Sequence, residues 1–483
     1  MTTEEPLSPA EQVAIERLRA VYVDASRIDW PFSPNDVKEQ SPRTRRRRRR
    51  GPGLLAHRVI VVAVAAAILV VFFVPLPHLS FFKRLVNPPK TSPATSGSTT
   101  VPNTPRVWTQ VAELKASDAA AGDYFGGGQA SETLTTPLEE AISGNIALVG
   151  APYDAGQVGR VYVFTKTATG WKQTAELVGS DSSPVDDFGT SVAISGTTIV
   201  VGAPYHPNQV GGAYVGRAYV FTRSASGWRQ AAELKGSDTV AAAWFGASVA
   251  ISATTVMVGA PYQANQAGRV YVFTKMAAGW IQAAELTGSD TVANDQFGYS
   301  VAMSGATAVV SAPNHGTDAG RAYVFTRSAT GWKQVAELKG SDTVARDSFG
   351  GSVAISDAGI IVGAASHANQ VGRAYLFTRT ATGWKQVAEL KGSDTVAGDN
   401  FGWSVAMSDT VAFVGAPLHA NQAGRAYEFV KTATGWNQEA ELKGSDTIAG
   451  DRFGQSLAAS GDTAVIGAPV HAYTDGRAYV FQS

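Results

Sequence analysis

Phe401-Gly-Trp-Ser-Val-Ala-Met-Ser408, Val411-Ala-Phe-Val-Gly415-Ala-Pro417, Gly424-Arg-Ala-Tyr-Glu-Phe-Val430 and Gly435-Trp-Asn-Gln-Glu-Ala-Glu-Leu442 make up one copy of a unit that this chain repeats. Each contains a run of strand length bounded by Gly, Pro, Asn or Asp, the residues that end strands in turns. The inner runs are apolar on both faces, as expected of a sheet sandwiched between two others. The last alternates, and Glu441 and Lys443 suit an outer, wetter strand.

Four markers of this unit recur in one order. Tryptophan falls at Trp108, Trp171, Trp228, Trp280, Trp332, Trp384 and Trp436. Phe-Gly begins at Phe125, Phe188, Phe245, Phe297, Phe349, Phe401 and Phe453. Gly-Ala-Pro or a near copy begins at Gly150, Gly202, Gly259, Ser311, Gly363, Gly415 and Gly467. Gly-Arg-x-Tyr supplies Arg160, Arg217, Arg269, Arg321, Arg373, Arg425 and Arg477. From Phe245 onward the spacing is a constant 52 residues, close to the length of one propeller blade. Seven four-stranded units predict an all-β chain folded as a seven-bladed β-propeller. A linear β-solenoid is the rival, but it has no reason to stop at a closable number. The phasing favours a ring. The chain enters with Trp108-Thr-Gln-Val-Ala-Glu-Leu114, a run of the fourth type, and ends with Arg477-Ala-Tyr-Val-Phe481, of the third. The entering strand is therefore expected to complete the last blade and remove an exposed edge.

The composition agrees. Of 483 residues, 50 are Gly and only 17% are charged, with 40 Lys+Arg against 40 Asp+Glu. Many glycines with few charges suit a turn-rich β protein, and zero net charge gives no general attraction for nucleic acid. The absence of cysteine excludes disulfides, thiol catalysis and Cys-ligated metals.

Ahead of the repeats the chain reads differently. Residues 1–58 end in an arginine-rich stretch with an unbroken run from Arg45 to Arg50. Residues 59–77 are uncharged and almost wholly apolar, with no polar stripe; about 18 such residues just span a bilayer core. A cleaved signal peptide would need a short leader and a small-residue cleavage site, and neither is present. Positive residues stay on the cytoplasmic side. The expectation is a signal-anchored, single-pass membrane protein with a cytoplasmic N-terminus, a Pro/Ser/Thr-rich linker over 78–106 and an extracellular propeller over 107–483.

Phe-Gly, Ser-Val-Ala, Gly-Ala-Pro and Gly-Arg-x-Tyr-Val-Phe, in that order, resemble the FG-GAP repeat of integrin α-chain propellers and their bacterial relatives, here in a membrane-anchored form. The resemblance covers about residues 107–483. It implies the seven-bladed fold and adhesion or ligand binding on one propeller face. Integrin-type repeats often carry an Asp-x-Asp-x-Asp-Gly calcium loop between the first and second strands. Here Ser195-Gly-Thr-Thr, Ser304-Gly-Ala-Thr, Ser408-Asp-Thr and Ser460-Gly-Asp-Thr stand instead, too poor in oxygen ligands for calcium.

Gly-x-Ser-x-Ala at Ser191, Ser248, Ser300, Ser352, Ser404 and Ser456 reads as a packing motif, because a nucleophile would not be copied onto every inner strand. Asp123, Asp186, Asp295, Asp347, Asp399 and Asp451, two residues before Phe-Gly, are candidate partners for the repeated arginines. His206, His315, His367, His419 and His471 follow the Gly-Ala-Pro position, with Asp154 and Gln263 in their place in the first and third repeats. The Gly-Ser-Asp loops at Asp238, Asp290, Asp342, Asp394 and Asp446 are expected on the same face, ringing it with imidazoles and carboxylates. Duplication alone would produce such a ring, and neighbouring blades hold these loops too far apart for several histidines to share one metal. No metal or cofactor is therefore expected.

The inserts at 127–140 and 207–215 break the symmetry in adjacent repeats, so Tyr205, His206 and Tyr214 are candidate ligand contacts, with His315, His367, His419 and His471 around the rim. The expected function is a binding, adhesion or scaffold module for a cell-surface protein or glycan, with no enzymatic activity and no nucleic-acid partner. A polysaccharide hydrolase or lyase on the same face is the alternative; it would need an acid–base pair departing from the repeat.

Overall fold

The computed structural model describes residues 106–127, 140–207, 214–408 and 410–483. The segments expected to be cytoplasmic (1–58), membrane-spanning (59–77) and most of the linker lie outside the described residues. No helix among the described residues is long and apolar enough to cross a membrane.

The described strands form seven four-stranded antiparallel sheets. In the blade that decides the reading these are Val405–Ser408, Val411–Ala416, Arg425–Thr432 and Gly435–Leu442, in sequential order. The second strand is buried throughout, while the fourth alternates between exposed and half-buried residues, matching the expected gradient from axis to rim. A Thr432 hydroxyl donating to the Gly435 carbonyl at 3.0 Å closes the turn between the third and fourth strands.

Ring closure occurs as the phasing predicts. The first strand, β1 (Thr109–Leu114), pairs antiparallel with the last, Arg477–Gln482, joining Thr109 to Gln482 and Leu114 to Ala478. Side chains repeat the join. In each blade a fourth-strand glutamine grips the serine of the loop entering that blade, as Gln438 grips Ser393. In the last blade Gln110 of β1 grips Ser445 in the same two-bond manner.

Apolar packing lies between blades. Each cluster joins two neighbours, as where Leu376 and Leu390 of one blade meet Phe401, Val414 and Tyr427 of the next. The Phe-Gly phenylalanine is fully buried in every blade and packs on that blade's Tyr and Phe; Phe401 has ring centroids 5.5 Å from Tyr427 and 6.0 Å from Phe429. Burying such a ring stabilises the fold by about 1.5–3 kcal/mol. The following glycine allows the close approach: Gly402 has φ +92°, and a Cβ there would sit 2.2 Å from the Arg373 carbonyl oxygen of the preceding blade.

The serine motif is a packing device. Ser191, Ser248, Ser352, Ser404 and Ser456 each donate to the Phe-Gly glycine carbonyl of the next blade at 2.7–3.0 Å. Ser300 departs from this pattern because Ser311 replaces the Gly-Ala-Pro glycine beside it; the Ser311 hydroxyl bonds the Ser300 backbone, and the Ser300 hydroxyl instead accepts from the Val353 N–H.

The expected Arg–Asp pairing does not form. Arg160, Arg217, Arg269, Arg321, Arg373, Arg425 and Arg477 pair instead with Glu176, Glu233, Glu285, Glu337, Glu389, Glu441 and Glu113 on the fourth strand. Cross-strand register places the glutamate beside the guanidinium, opposite the next tyrosine along (Tyr427 faces Glu441). The aspartates are engaged elsewhere.

Candidate functional site

The loop joining the second and third strands and the loop entering each blade meet on one face, as expected. Asp399 Oδ2 accepts the Val396 N–H at 2.7 Å and thereby shapes the entering loop; it also bonds His419 Nδ1 at 2.9 Å. His419 opens a one-turn segment, His419–Gln422, whose Ala420 and Asn421 have left-handed dihedrals. From the entering loop Asp394 turns Oδ2 toward His419 Nε2 at 3.5 Å, while its Oδ1 accepts the Tyr427 hydroxyl at 2.8 Å. Burial, with the Asp394 carboxylate beside it, raises the Tyr427 pKa and keeps the hydroxyl a donor.

The same unit recurs at His206, His315, His367 and His471, with Nδ1 to the inner aspartate at 2.8–2.9 Å and Nε2 to the outer one at 3.5–3.7 Å. Asp181 fills the outer place in the second blade and Asp118 bonds Tyr162 in the first, completing a set whose Gly-Ser-Asp signal is altered to Ala-Ser-Asp at Asp118. The exceptions explain the inner pair. In the third blade Ala243 replaces the inner aspartate and Gln263 the histidine. The Gln263 amide both accepts the Val240 N–H at 3.2 Å and donates to the Asp238 carbonyl at 2.9 Å, so one neutral side chain ties the loop. In the first blade Asp154 is held by Arg160 at 2.8 Å and lies against the Tyr162 hydroxyl. The histidines therefore serve structure through Nδ1. Each has its charged partners within its own blade, so His315, His367, His419 and His471 form a rim and not one joint site.

What differs between blades is aromatic. Apart from Phe413, buried in a second strand, the propeller's non-repeated aromatic residues all lie on this loop face. Tyr205 contacts Tyr214 and Trp244, at centroid separations of 6.0 and 5.0 Å, and Trp244 stacks on Tyr262 at 4.0 Å. Tyr205 and Tyr214 are thus brought together as expected, while His206 is turned inward and buried beneath them. Burial also raises the Tyr205 pKa, and its hydroxyl has no hydrogen-bond partner among the described residues. Most of the two inserts, 128–139 and 208–213, lies outside the described residues.

A second feature was not anticipated. The position after Phe-Gly is Tyr299, Gly351 and Trp403 in three successive blades. The central glycine leaves a slot between two rings, a cavity of about 110 Å³ also lined by Asn314, Ser348 and Ser366. The sequence signal was present as a single repeat position reading aromatic, Gly, aromatic.

The sequence profile of the FG-GAP repeat matches residues 171–221, 228–273, 280–325, 332–377, 384–429 and 436–481. The chain belongs to the FG-GAP repeat family. No curated protein matches it. Among solved structures, the crystal structure of Sqt1 from Chaetomium thermophilum is similar at 17% identity and a TM-score of 0.43, over 68% of this chain and 77% of that one.

Along the axis, the first strands of this FG-GAP propeller line a channel of about 240 Å³ in which Ser300, Ser352 and Ser404 stand among alanines and aliphatic residues. Glu140 is the ionisable residue among those lining it: buried, with neither carboxyl oxygen hydrogen-bonded among the described residues. Burial pushes its acid well above the usual carboxylate range, against a weaker opposing effect of Ser456. On the loop face, Asp187 departs from the repeat in the same sense. Burial, with the Asp186 carboxylate adjoining, pushes its acid up to about 7.

Proposed function

We propose that this FG-GAP protein is a single-pass, signal-anchored membrane protein whose extracellular propeller binds a cell-surface protein or glycan through the loop face, as an adhesion or scaffold module without catalysis of its own. One observation carries the binding reading: repeats that are otherwise near copies place their non-repeated exposed and half-buried aromatics on one face, with a slot between Tyr299 and Trp403. Aromatic faces with a few convergent polar groups are what a specific ligand needs, and a seven-fold symmetric surface lacks them. The anchor and its orientation are supported by the arginine run ahead of residues 59–77.

The test is a cell-surface and glycan array screen with the full-length protein, followed by Trp403→Ala and by Gly351→Trp to fill the slot. Binding retained by both variants would reject the slot, and no binding across the array would reject the module. Protease added to intact cells should digest the propeller and spare an N-terminal epitope; the reverse would reject the topology.

The hydrolase or lyase reading draws on Asp187, an acid raised to about 7 beside Tyr205, in the range useful for proton transfer. Cleavage of a polysaccharide by the wild type, lost in Asp187→Asn, would favour it over simple binding.

A further inference from the structure

The histidine units have one atom that packing does not use. Nδ1 of His419 bonds the buried Asp399 carboxylate, which assigns the ring hydrogen to Nδ1 in the neutral imidazole and leaves the Nε2 lone pair facing Asp394. Asp394 Oδ2 also carries lone pairs, and its carboxylate is fixed by the Tyr427 hydroxyl on the other oxygen. Two electron-rich atoms facing each other at 3.5 Å are too far apart for a hydrogen bond, which would draw them to about 2.9 Å. They are at the spacing of two ligands on one tetrahedral ion, about 3.4 Å for metal–ligand bonds of about 2.0–2.2 Å.

The local charge points the same way. Asp394 and Asp399 each face a nitrogen of His419, and Glu441 lies beside them, while the guanidinium of Arg425 is the cation paired to Glu441. Three carboxylates against one guanidinium leave an excess of negative charge. Among the described residues, the ligand atoms of Asp394, His419 and Glu441 form a group lying within 4.8 Å of one another. The Asp399–His419 bond is the carboxylate–histidine support that commonly orients a metal-ligating imidazole.

We propose that Asp394, His419 and Glu441 form a binding site for a zinc-class divalent transition-metal ion on the loop face. His419 Nε2 and carboxylate oxygens of Asp394 and Glu441 supply three ligands, and water supplies the fourth. Asp399 and Tyr427 orient the imidazole and the Asp394 carboxylate. The site is separate from the hairpins between first and second strands, and a nitrogen ligand selects zinc-class ions over calcium or magnesium.

The experiment titrates the full-length protein with zinc against a chromophoric chelator, with cobalt as a spectroscopic probe and calcium and magnesium as controls. Wild type should show one tightest zinc-binding event and the visible absorption of four-coordinate cobalt. Asp394→Asn should weaken that event by at least about 10–100-fold, the loss that removing even an outer-shell partner of a ligand brings. A second variant, Asp399→Ala with His419→Gln, copies the Ala243 and Gln263 arrangement of the third blade and so keeps the loop tied while removing the nitrogen ligand. It should remove that tightest event and its share of the cobalt absorption, leaving only the weaker binding of the other histidine units, which the three-ligand grouping does not include. No zinc binding by wild type, calcium binding as tight as zinc, or unchanged zinc affinity in either variant would overturn the proposal, the first by showing that a proton on Nε2 satisfies the site.

Discussion

Replacing Asp187 by Asn should make the propeller less sensitive to pH, by an amount that follows from the carboxyl's surroundings. Asp187 is 6% exposed and adjoins Asp186, which is fully buried and bonded to His206 and Ser183. In the fold its acid is raised to about 7 from an ordinary 3.8. Between those values the folded state keeps a proton that the unfolded chain has released, so raising the pH favours unfolding. The penalty is absent below pH 3.8 and complete above about 7. At about 1.4 kcal/mol per pH unit, the whole interval withdraws about 4 kcal/mol. Asn cannot ionise, has nearly the same shape and tolerates the left-handed backbone found here, φ 51°; Asn400 occupies the equivalent place in the sixth blade at φ 57°. Urea unfolding of full-length wild type and Asp187→Asn at pH 4, 5.5 and 8 isolates this group, because the other carboxyls cancel in the difference. The two proteins should be nearly equal at pH 4, and the variant should be more stable by several kcal/mol at pH 8. A difference that stays flat from pH 4 to 8 would refute the argument.

Deleting residues 107–116 should strip the last blade of its outer strand and the Gln110–Ser445 bonds, lowering the melting temperature and promoting aggregation, whereas Gln110→Ala should cost only about 1–2 kcal/mol; equal melting of the deletion and wild type in a thermal scan would rule out shared-blade closure. Gly402→Ala should destabilise by about 3 kcal/mol in urea titration, combining a left-handed backbone with a Cβ 2.2 Å from the Arg373 carbonyl; a neutral result would show that neighbouring blades yield easily. Glu140→Gln should stabilise the protein above about pH 5, because the folded state holds the Glu140 proton after the unfolded chain has lost it; identical pH–stability curves for the two proteins would contradict this. A calcium chelator should leave the melting temperature unchanged, since the hairpins between first and second strands lack an acidic loop; a fall of many degrees, reversed by calcium, would disprove it.

Much of the fold was legible because the repeat carries its own register. Phe-Gly, Gly-Ala-Pro and Gly-Arg-x-Tyr mark where backbones of adjacent blades touch, so their order fixes strand order, and the unpaired run at Trp108–Leu114 foretells closure. The shared face of the histidine and Gly-Ser-Asp loops followed from strand direction alone. Ion-pair partners did not. Sequence shows that Arg425 has acidic residues available, but which one it meets depends on a register shift between Glu428 and Phe429 in the pairing of third and fourth strands. The slot was hidden for another reason. Tyr299, Gly351 and Trp403 are ordinary residues singly, and only stacking the blades makes them neighbours.

The pairing of β1 has a mechanical consequence. Its Leu114 end leads into the loop face, so Thr109, opposite Gln482, lies at the far end of the sheet. Tension between the proposed anchor ahead of Arg106 and a partner on the loop face would therefore pull β1 along its own axis. Its hydrogen bonds to the last strand are loaded together, in shear, and do not open one after another as in a zipper. Bonds loaded in shear share the force, so under the topology proposed above the seam that closes the ring would also be the one that carries the tension.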